Sequence, residues 1–291
     1  MHLVSVADLN AQEIRELLRR SRELDQRSDS PRGGTIALLF LTSSLRTFVG
    51  FHAAGLRLGL HVVDISERRS GALMSAPESV TDTLRTVSGM VDAVVMRSDI
   101  AVADLDLART CPVAFVNAGD TTSHPTQALI DMRAVEDEAG PVSDQVVAIS
   151  GDLNSRAARS FIDILGTFPP RKLVVMAAPG RRERMARLSQ ALAAVTEERD
   201  PADIDDVDVL YLPGLPERST SGDLDEAERS RFAFTAARAE HMKPSAVVLS
   251  PMPVIDEVAD DCRDDPRVRL FGPSDRSVSV RAAVLEWVLD R

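Results

Sequence analysis

Ser44, Arg46 and Thr47 are the first residues whose types and spacing suggest chemistry, within "FLTSSLRTFVGF" at residues 40–51. An apolar run precedes them and a helical pattern follows, so they fall where a strand turns into a helix. Two hydroxyls, a guanidinium able to pair bidentately, and the N–H groups of a helix starting near Thr47 together suit a phosphate. A serine-capped helix with an exposed arginine is the plainer alternative. "VMRSD" sets Arg97 just past the end of another strand, and "NAGDTTSHPTQALID" sets His124 and Gln127 three apart at a helix start, on one face. A histidine placed there suits a hydrogen bond to a carbonyl oxygen through one ring nitrogen.

The elements that must position these residues follow from hydrophobic patterning. The runs "TIALLFL", "HVVDI", "DAVVMR", "VAFVNA", "QVVAIS", "KLVVMAA", "DVLYL" and "AVVLS" fit buried parallel strands, and helical patterns separate most of them. That alternation predicts an α/β protein with two doubly wound parallel-sheet domains, each sheet of about four strands. In such sheets ligands collect beyond the carboxyl ends of the strands, where Thr42–Thr47 stands. Asn10 followed by Glu13 reads as a capping box for a helix running to about Arg27, with Ile14, Leu17 and Leu18 on its apolar face. Val280, Ala283, Val284 and Val288 have helical spacing at the other end. The polar stretch "EDEAGPVSDQ" marks the domain junction, which separates residues 1–135 from 136–273.

Length and charge narrow the function. A chain of 291 residues exceeds the usual single core. A net charge of −11 argues against nucleic-acid and membrane-surface partners, while leaving room for a local basic pocket. No apolar run approaches the ~20 residues of a membrane span, and "MHLVSVADLN" lacks the pattern of a secretion signal, so a cytoplasmic protein is expected. Cys111 and Cys262 are too few and too dispersed for a disulfide framework or a zinc site, and are read as buried thiols. Neither a metal nor a cofactor is expected.

The segments "SSLRT", "ESVTDTLRTVSGMVDAVVMR", "NAGDTTSHPTQALID", "GDLNSRAARS" and "SPMPVIDEV" stand in the order and spacing of the aspartate and ornithine carbamoyltransferases. The chain resembles that family along nearly its whole length, and "HPTQALID" with the late Pro-x-Pro looks like the aspartate branch. The resemblance implies a carbamoyl-phosphate domain at 1–135, joined by the C-terminal helix at 274–291, and an acceptor domain at 136–273. It implies a homotrimer with active sites at the interfaces, and small-molecule substrates: carbamoyl phosphate and an amino-acid-like acceptor. By position, Ser44, Arg46, Thr47 and Arg97 would hold the phosphate, His124 and Gln127 would contact the carbamoyl group, and Met252 would offer its carbonyl to the carbamoyl amine. Arg156, with Pro253, would serve the acceptor.

Several positions depart from the family pattern. Its usual Ser-Thr-Arg-Thr-Arg stands as Ser44-Leu45-Arg46-Thr47-Phe48, one hydroxyl and one cation short. Ala76 falls at the lysine of a loop that reaches the neighbouring subunit's site, with Arg68 and Arg69 as nearby substitutes. Gly214 and Pro216 occupy the aspartate branch's Arg-x-Gln, followed by Glu217 and Arg218, which read as a loop-anchoring pair. "GDLNSR" is one residue short, so Arg159 competes with Arg156, and "GPSDRSVSV" lacks the family's Gln and Asn-Gly. The expectation is therefore a divergent carbamoyltransferase-like enzyme with an acceptor other than aspartate, or a related phosphate-leaving reaction. The alternatives are an aspartate carbamoyltransferase of pyrimidine synthesis and a catalytically silent trimeric homologue.

Overall fold

Valine, isoleucine, leucine and alanine make up most of residues 35–40, 93–97, 146–151 and 172–177, and nearly every residue of these runs is buried. Strands covered on both faces need such uniform apolarity, and all the strand pairs formed are parallel. The structure, a computed structural model, describes residues 1–26, 32–66, 78–181, 183–216 and 224–290. Arg68, Arg69, Ala76, Glu217 and Arg218 lie outside these described residues.

The chain divides into two compact units, residues 1–129 with 276–291 and residues 130–275. The first begins with β1 (His2–Leu3), α1 (Ala11–Gln26), β2 (Thr35–Phe40) and α2 (Leu45–Arg57). It continues through β3 (His61–Ser66), α3 (Val80–Ser88), β4 (Ala93–Arg97) and β5 (Ala114–Asn117). The chain then passes into the second unit within α4 (Pro125–Ala139), ahead of the expected junction at residue 136. That unit holds β6 (Val146–Gly151), α5 (Arg156–Thr167), β7 (Lys172–Ala177), β8 (Thr196–Glu198), β9 (Val209–Tyr211), α6 (Glu226–Phe232) and β10 (Val247–Leu249). The last helix, α7 (Ser277–Leu289), belongs to the first unit.

The first sheet has strand order β1-β5-β4-β2-β3 and the second β10-β9-β6-β7-β8. Among the described residues each sheet has five strands rather than the expected four or so. The additional strands, β1 and β8, are two- and three-residue edge strands without an apolar run to announce them. The order reverses between β2 and β4 in one sheet and between β6 and β9 in the other. Such switch points leave a crevice at the carboxyl ends of the strands.

The helices beneath the first crevice are firmly seated. The Asn10 side chain accepts from the Gln12 and Glu13 amides at 2.9 and 3.0 Å, and Glu13 accepts from the Asn10 amide at 3.0 Å, completing the expected capping box. The α7 spacing suggests a one-sided helix, yet the helix is buried from Ser279 to Val288 because it lies against both α1 and α2. Glu286 on α7 accepts a bidentate pair from Arg20 on α1 at 2.7 and 2.9 Å. Arg281 is fully buried, its guanidinium 5.4 Å from the Phe51 ring centroid. Gly50 makes room for it, since a Cβ there would collide with Arg281 Nη1.

Candidate active site

The turn after β2 is built to leave a helix end open. Ser44 is the N-cap of α2, but its side chain makes no capping bond to the helix. Instead its hydroxyl meets the Thr47 hydroxyl at 3.0 Å. The first-turn N–H groups of α2 therefore point out of the helix end, beside the two hydroxyls. Arg46 lies in that first turn and is exposed, although the adjacent protein desolvates its guanidinium enough to draw the pKa below the ordinary arginine value. It remains a cation near neutrality.

Phe48 faces the other way. Its ring packs edge-on to Phe40, the last residue of β2, at 5.3 Å between centroids, and lies 6.0 Å from the His52 ring. An arginine here would add a cation; phenylalanine instead anchors α2 to the strand that delivers it.

Arg97 is the last residue of β4, not a residue beyond it, and is 4% exposed. Its Nη1 donates to the Ala118 carbonyl at 3.0 Å, and its own carbonyl accepts from the Leu41 amide at 2.8 Å. His124 immediately precedes α4, where its carbonyl accepts from the Gln127 and Ala128 amides. Both side chains crowd Gly119, whose φ of 112° lies in the left-handed region. A Cβ at Gly119 would run into Arg97 Nη1 and come within 3.1 Å of His124 Cδ2. Glycine is therefore required twice, for the turn and for the close approach of the Arg97 and His124 side chains.

Two residues that sequence reasoning left unassigned hold this loop. Asn117 donates to the Val4 carbonyl at 2.9 Å and accepts from the Gly119 amide at 2.9 Å. Asp120 accepts from the Thr122 and Ser123 amides at 2.7 and 2.6 Å through one oxygen, and from the Val102 amide at 2.8 Å through the other. The signal was present in "NAGD": an Asn and an Asp around a glycine directly after a strand favour side-chain-closed turns.

The second unit repeats the plan at its own crevice. Arg156 opens α5 behind its cap Ser155, which accepts from the Ala158 amide at 3.2 Å. The Asp152 amide donates to the Gly214 carbonyl at 2.9 Å, and a Cβ on Gly151 would strike that same carbonyl. Gly214 itself has φ 94° and open space around its Cα. Met252 and Pro253 follow β10, with β9 between that strand and β6. Met252 adopts φ 60°, its amide donates to Ser250 Oγ at 3.1 Å, and the peptide to Pro253 is cis. Glu257 accepts from the Ile255 and Asp256 amides at 2.9 and 3.2 Å, while burial raises its carboxyl pKa.

Residues 1–137 match the family model for the carbamoyl-P binding domain of aspartate/ornithine carbamoyltransferase. An aspartate carbamoyltransferase catalytic subunit from Solibacter usitatus is 33% identical over 99% of this chain and 98% of its own. The chain belongs to the aspartate/ornithine carbamoyltransferase family. Another relative with the same name, from Methanopyrus kandleri, is 30% identical over 99% of this chain and 96% of its own. Among solved structures, an ornithine carbamoyltransferase from Pyrococcus furiosus superposes with a TM-score of 0.86 at 25% identity, over 99% of this chain and 97% of that one. Aspartate transcarbamoylase from Trypanosoma cruzi, solved with N-(phosphonacetyl)-L-aspartic acid, gives 0.88 at 25% identity, over 98% and 94%. As a family member the chain is a carbamoyltransferase-like transferase, and the two-sheet α/β fold is the family's. No helix among the described residues is long and apolar enough to cross a membrane.

Proposed function

We propose that this chain transfers the carbamoyl group of carbamoyl phosphate to the amine of an amino-acid acceptor other than aspartate. One observation carries the transfer: Ser44, Arg46, Thr47, Arg97 and His124 follow or end strands β2, β4 and β5 around the first sheet's switch point. In this reading Ser44, Arg46, Thr47 and Arg97 hold the phosphate, together with the open end of α2. The neutral acceptor amine attacks the carbamoyl carbon, and the carbonyl electrons move onto oxygen. Arg46 and His124 donate to that oxyanion, and Gln127 contacts the carbamoyl group. As the C=O re-forms, the C–O bond to phosphate breaks with its electron pair, and the amine's extra proton passes to the departing phosphate. Met252 accepts from the carbamoyl amino group through its carbonyl, Arg156 pairs with the acceptor carboxylate, and Pro253 contacts the acceptor.

Gly214 supports an acceptor whose side chain lacks a carboxylate. It brings no cation to the crevice between β6 and β9, and its left-handed φ would strain an arginine placed there. The names of the relatives from Solibacter usitatus and Methanopyrus kandleri favour a second reading, with aspartate as the acceptor.

The same proposal includes a cytoplasmic homotrimer with interfacial sites. Leu45, Val49 and Leu56 stand on α2 at helical spacing and are 78%, 53% and 58% exposed, an apolar stripe beside the phosphate turn. Cys111 and Cys262 are buried free thiols, in keeping with a reducing compartment.

Calorimetric titration with carbamoyl phosphate, followed by phosphate release across a panel of amino acids, tests the reading. Binding with turnover on a neutral-side-chain amino acid supports it, and preferential turnover on aspartate establishes the second reading. Absence of carbamoyl phosphate binding overturns both.

A further inference from the structure

Arg229 on α6 is only 4% exposed, an unusual position for an arginine unless its charge and donors are met. Its Nη1 donates to Asp256 Oδ2 at 2.8 Å and its Nη2 donates to the Pro216 carbonyl at 2.7 Å. Pro216 lies in the segment that leaves β9, and Asp256 in the segment that leaves β10 and carries Met252. These strands are neighbours in the second sheet, and the segments leave their carboxyl ends side by side.

Each segment also has bonds of its own. The Gly214 carbonyl is held by the Asp152 amide, and the 255–256 amides are held by Glu257. The Leu212 amide donates to the Leu249 carbonyl at 2.8 Å and fixes the base of the two segments, but none of these bonds reaches between Pro216 and Asp256 farther out. The guanidinium of Arg229 sets the distance there, because one rigid plane holds a carbonyl of one segment and a carboxylate of the other.

We propose that Arg229 is a positioning residue for the acceptor, fixing the spacing of the 212–216 and 250–256 segments. This rests on the assignment of Pro253 to the acceptor in the proposed function. Lysine cannot replace it, since a point-like ammonium on a flexible stem does not hold both partners at a fixed separation.

The test uses the full chain with Arg229→Lys, Arg229→Met and Asp256→Asn. Hydrogen exchange of the Asp152, Ile255 and Asp256 amides reads both segments without requiring activity. In Arg229→Lys and Arg229→Met these three amides are expected to exchange about tenfold faster together, with sheet amides such as Ile149 nearly unchanged. Asp256→Asn, which keeps the bond to Pro216, gives a smaller rise at the same amides. Should Arg229→Met fail to fold, the other two variants carry the test. Faster exchange at 255–256 with Asp152 unaffected would overturn the coupling.

In steady-state assays Arg229→Lys is expected to raise the acceptor KM about tenfold, with a smaller loss of carbamoyl phosphate affinity, since the proposed phosphate contacts lie in the first unit. An unchanged acceptor KM overturns the positioning role even if exchange rises. A wild-type protein that turns over no acceptor contradicts the proposed function, and the exchange data then decide the brace by themselves.

Discussion

Tyr211 donates its hydroxyl hydrogen to Asp131 Oδ2 at 2.7 Å, with both side chains sealed from solvent. The bond ties β9 to α4, and the Tyr211 ring stacks on Phe161 of α5 at 4.3 Å between centroids. Burial, then the charge of Asp131, pushes the phenol pKa well above its ordinary value. Tyr211→Phe removes this buried hydrogen bond to a carboxylate and is expected to cost about 1–3 kcal/mol in denaturant unfolding.

The same pair sets a pH dependence in alkali. The unfolded tyrosine loses its proton near pH ~10, whereas the folded one keeps it. The folded state then binds more protons, so stability falls as pH rises above ~10. Tyr211→Phe removes this contribution, and the stability difference between wild type and variant should shrink with rising pH. A difference that stays constant from about pH 8 to 11 would count against it.

Arg46→Ala is expected to weaken carbamoyl phosphate binding by about 1.5–3 kcal/mol, the range for a hydrogen bond to a charged group. Calorimetry checks this, and an unchanged affinity would show that the turn after β2 does not hold the phosphate.

Gly119→Ala adds a methyl group where φ is left-handed and the Arg97 guanidinium already stands. A loss of about 1–3 kcal/mol in stability is expected, with weaker anion binding because Arg97 must move. Thermal unfolding with and without carbamoyl phosphate separates the two effects; a variant with wild-type stability would contradict the packing argument.

In the proposed transfer, His124→Ala removes a donor to the developing oxyanion while sparing the phosphate contacts. A fall in kcat of about 10²–10³-fold is expected, with little change in carbamoyl phosphate affinity. Equal kcat in variant and wild type would exclude His124 from the chemistry.

Glutamate substitution of both Leu45 and Val49 puts two charges on the exposed α2 stripe. Sedimentation should find the wild type near three times the 31.6 kDa chain mass and the variant smaller. A monomeric wild type would remove the trimer from the proposal.

The longer strands were legible because a parallel strand buried on both faces must be largely apolar, as in residues 93–96 and 146–149. The edge strands β1 and β8 were not, since "HL" and "TEE" carry no such requirement. Ser44, Arg46, Thr47, Arg97 and His124 were readable as candidates because hydroxyl, guanidinium and imidazole groups fell just where strands end. The two-sheet fold and the family motifs were likewise present in the order of the residues.

Tertiary structure alone decided what those residues meet. Nothing local in "EAERSRF" marks Arg229 for burial, yet the packing of α6 buries it against Pro216 and Asp256. "SVSVRAAVLEWVL" reads as a one-sided helix, yet α7 is enclosed and carries Arg281 into the space left by Gly50. Local sequence determines which backbone conformations and apolar faces are favourable within a few residues. Which buried cation finds which carboxylate depends on segments far apart in the chain that meet only once the sheets have formed.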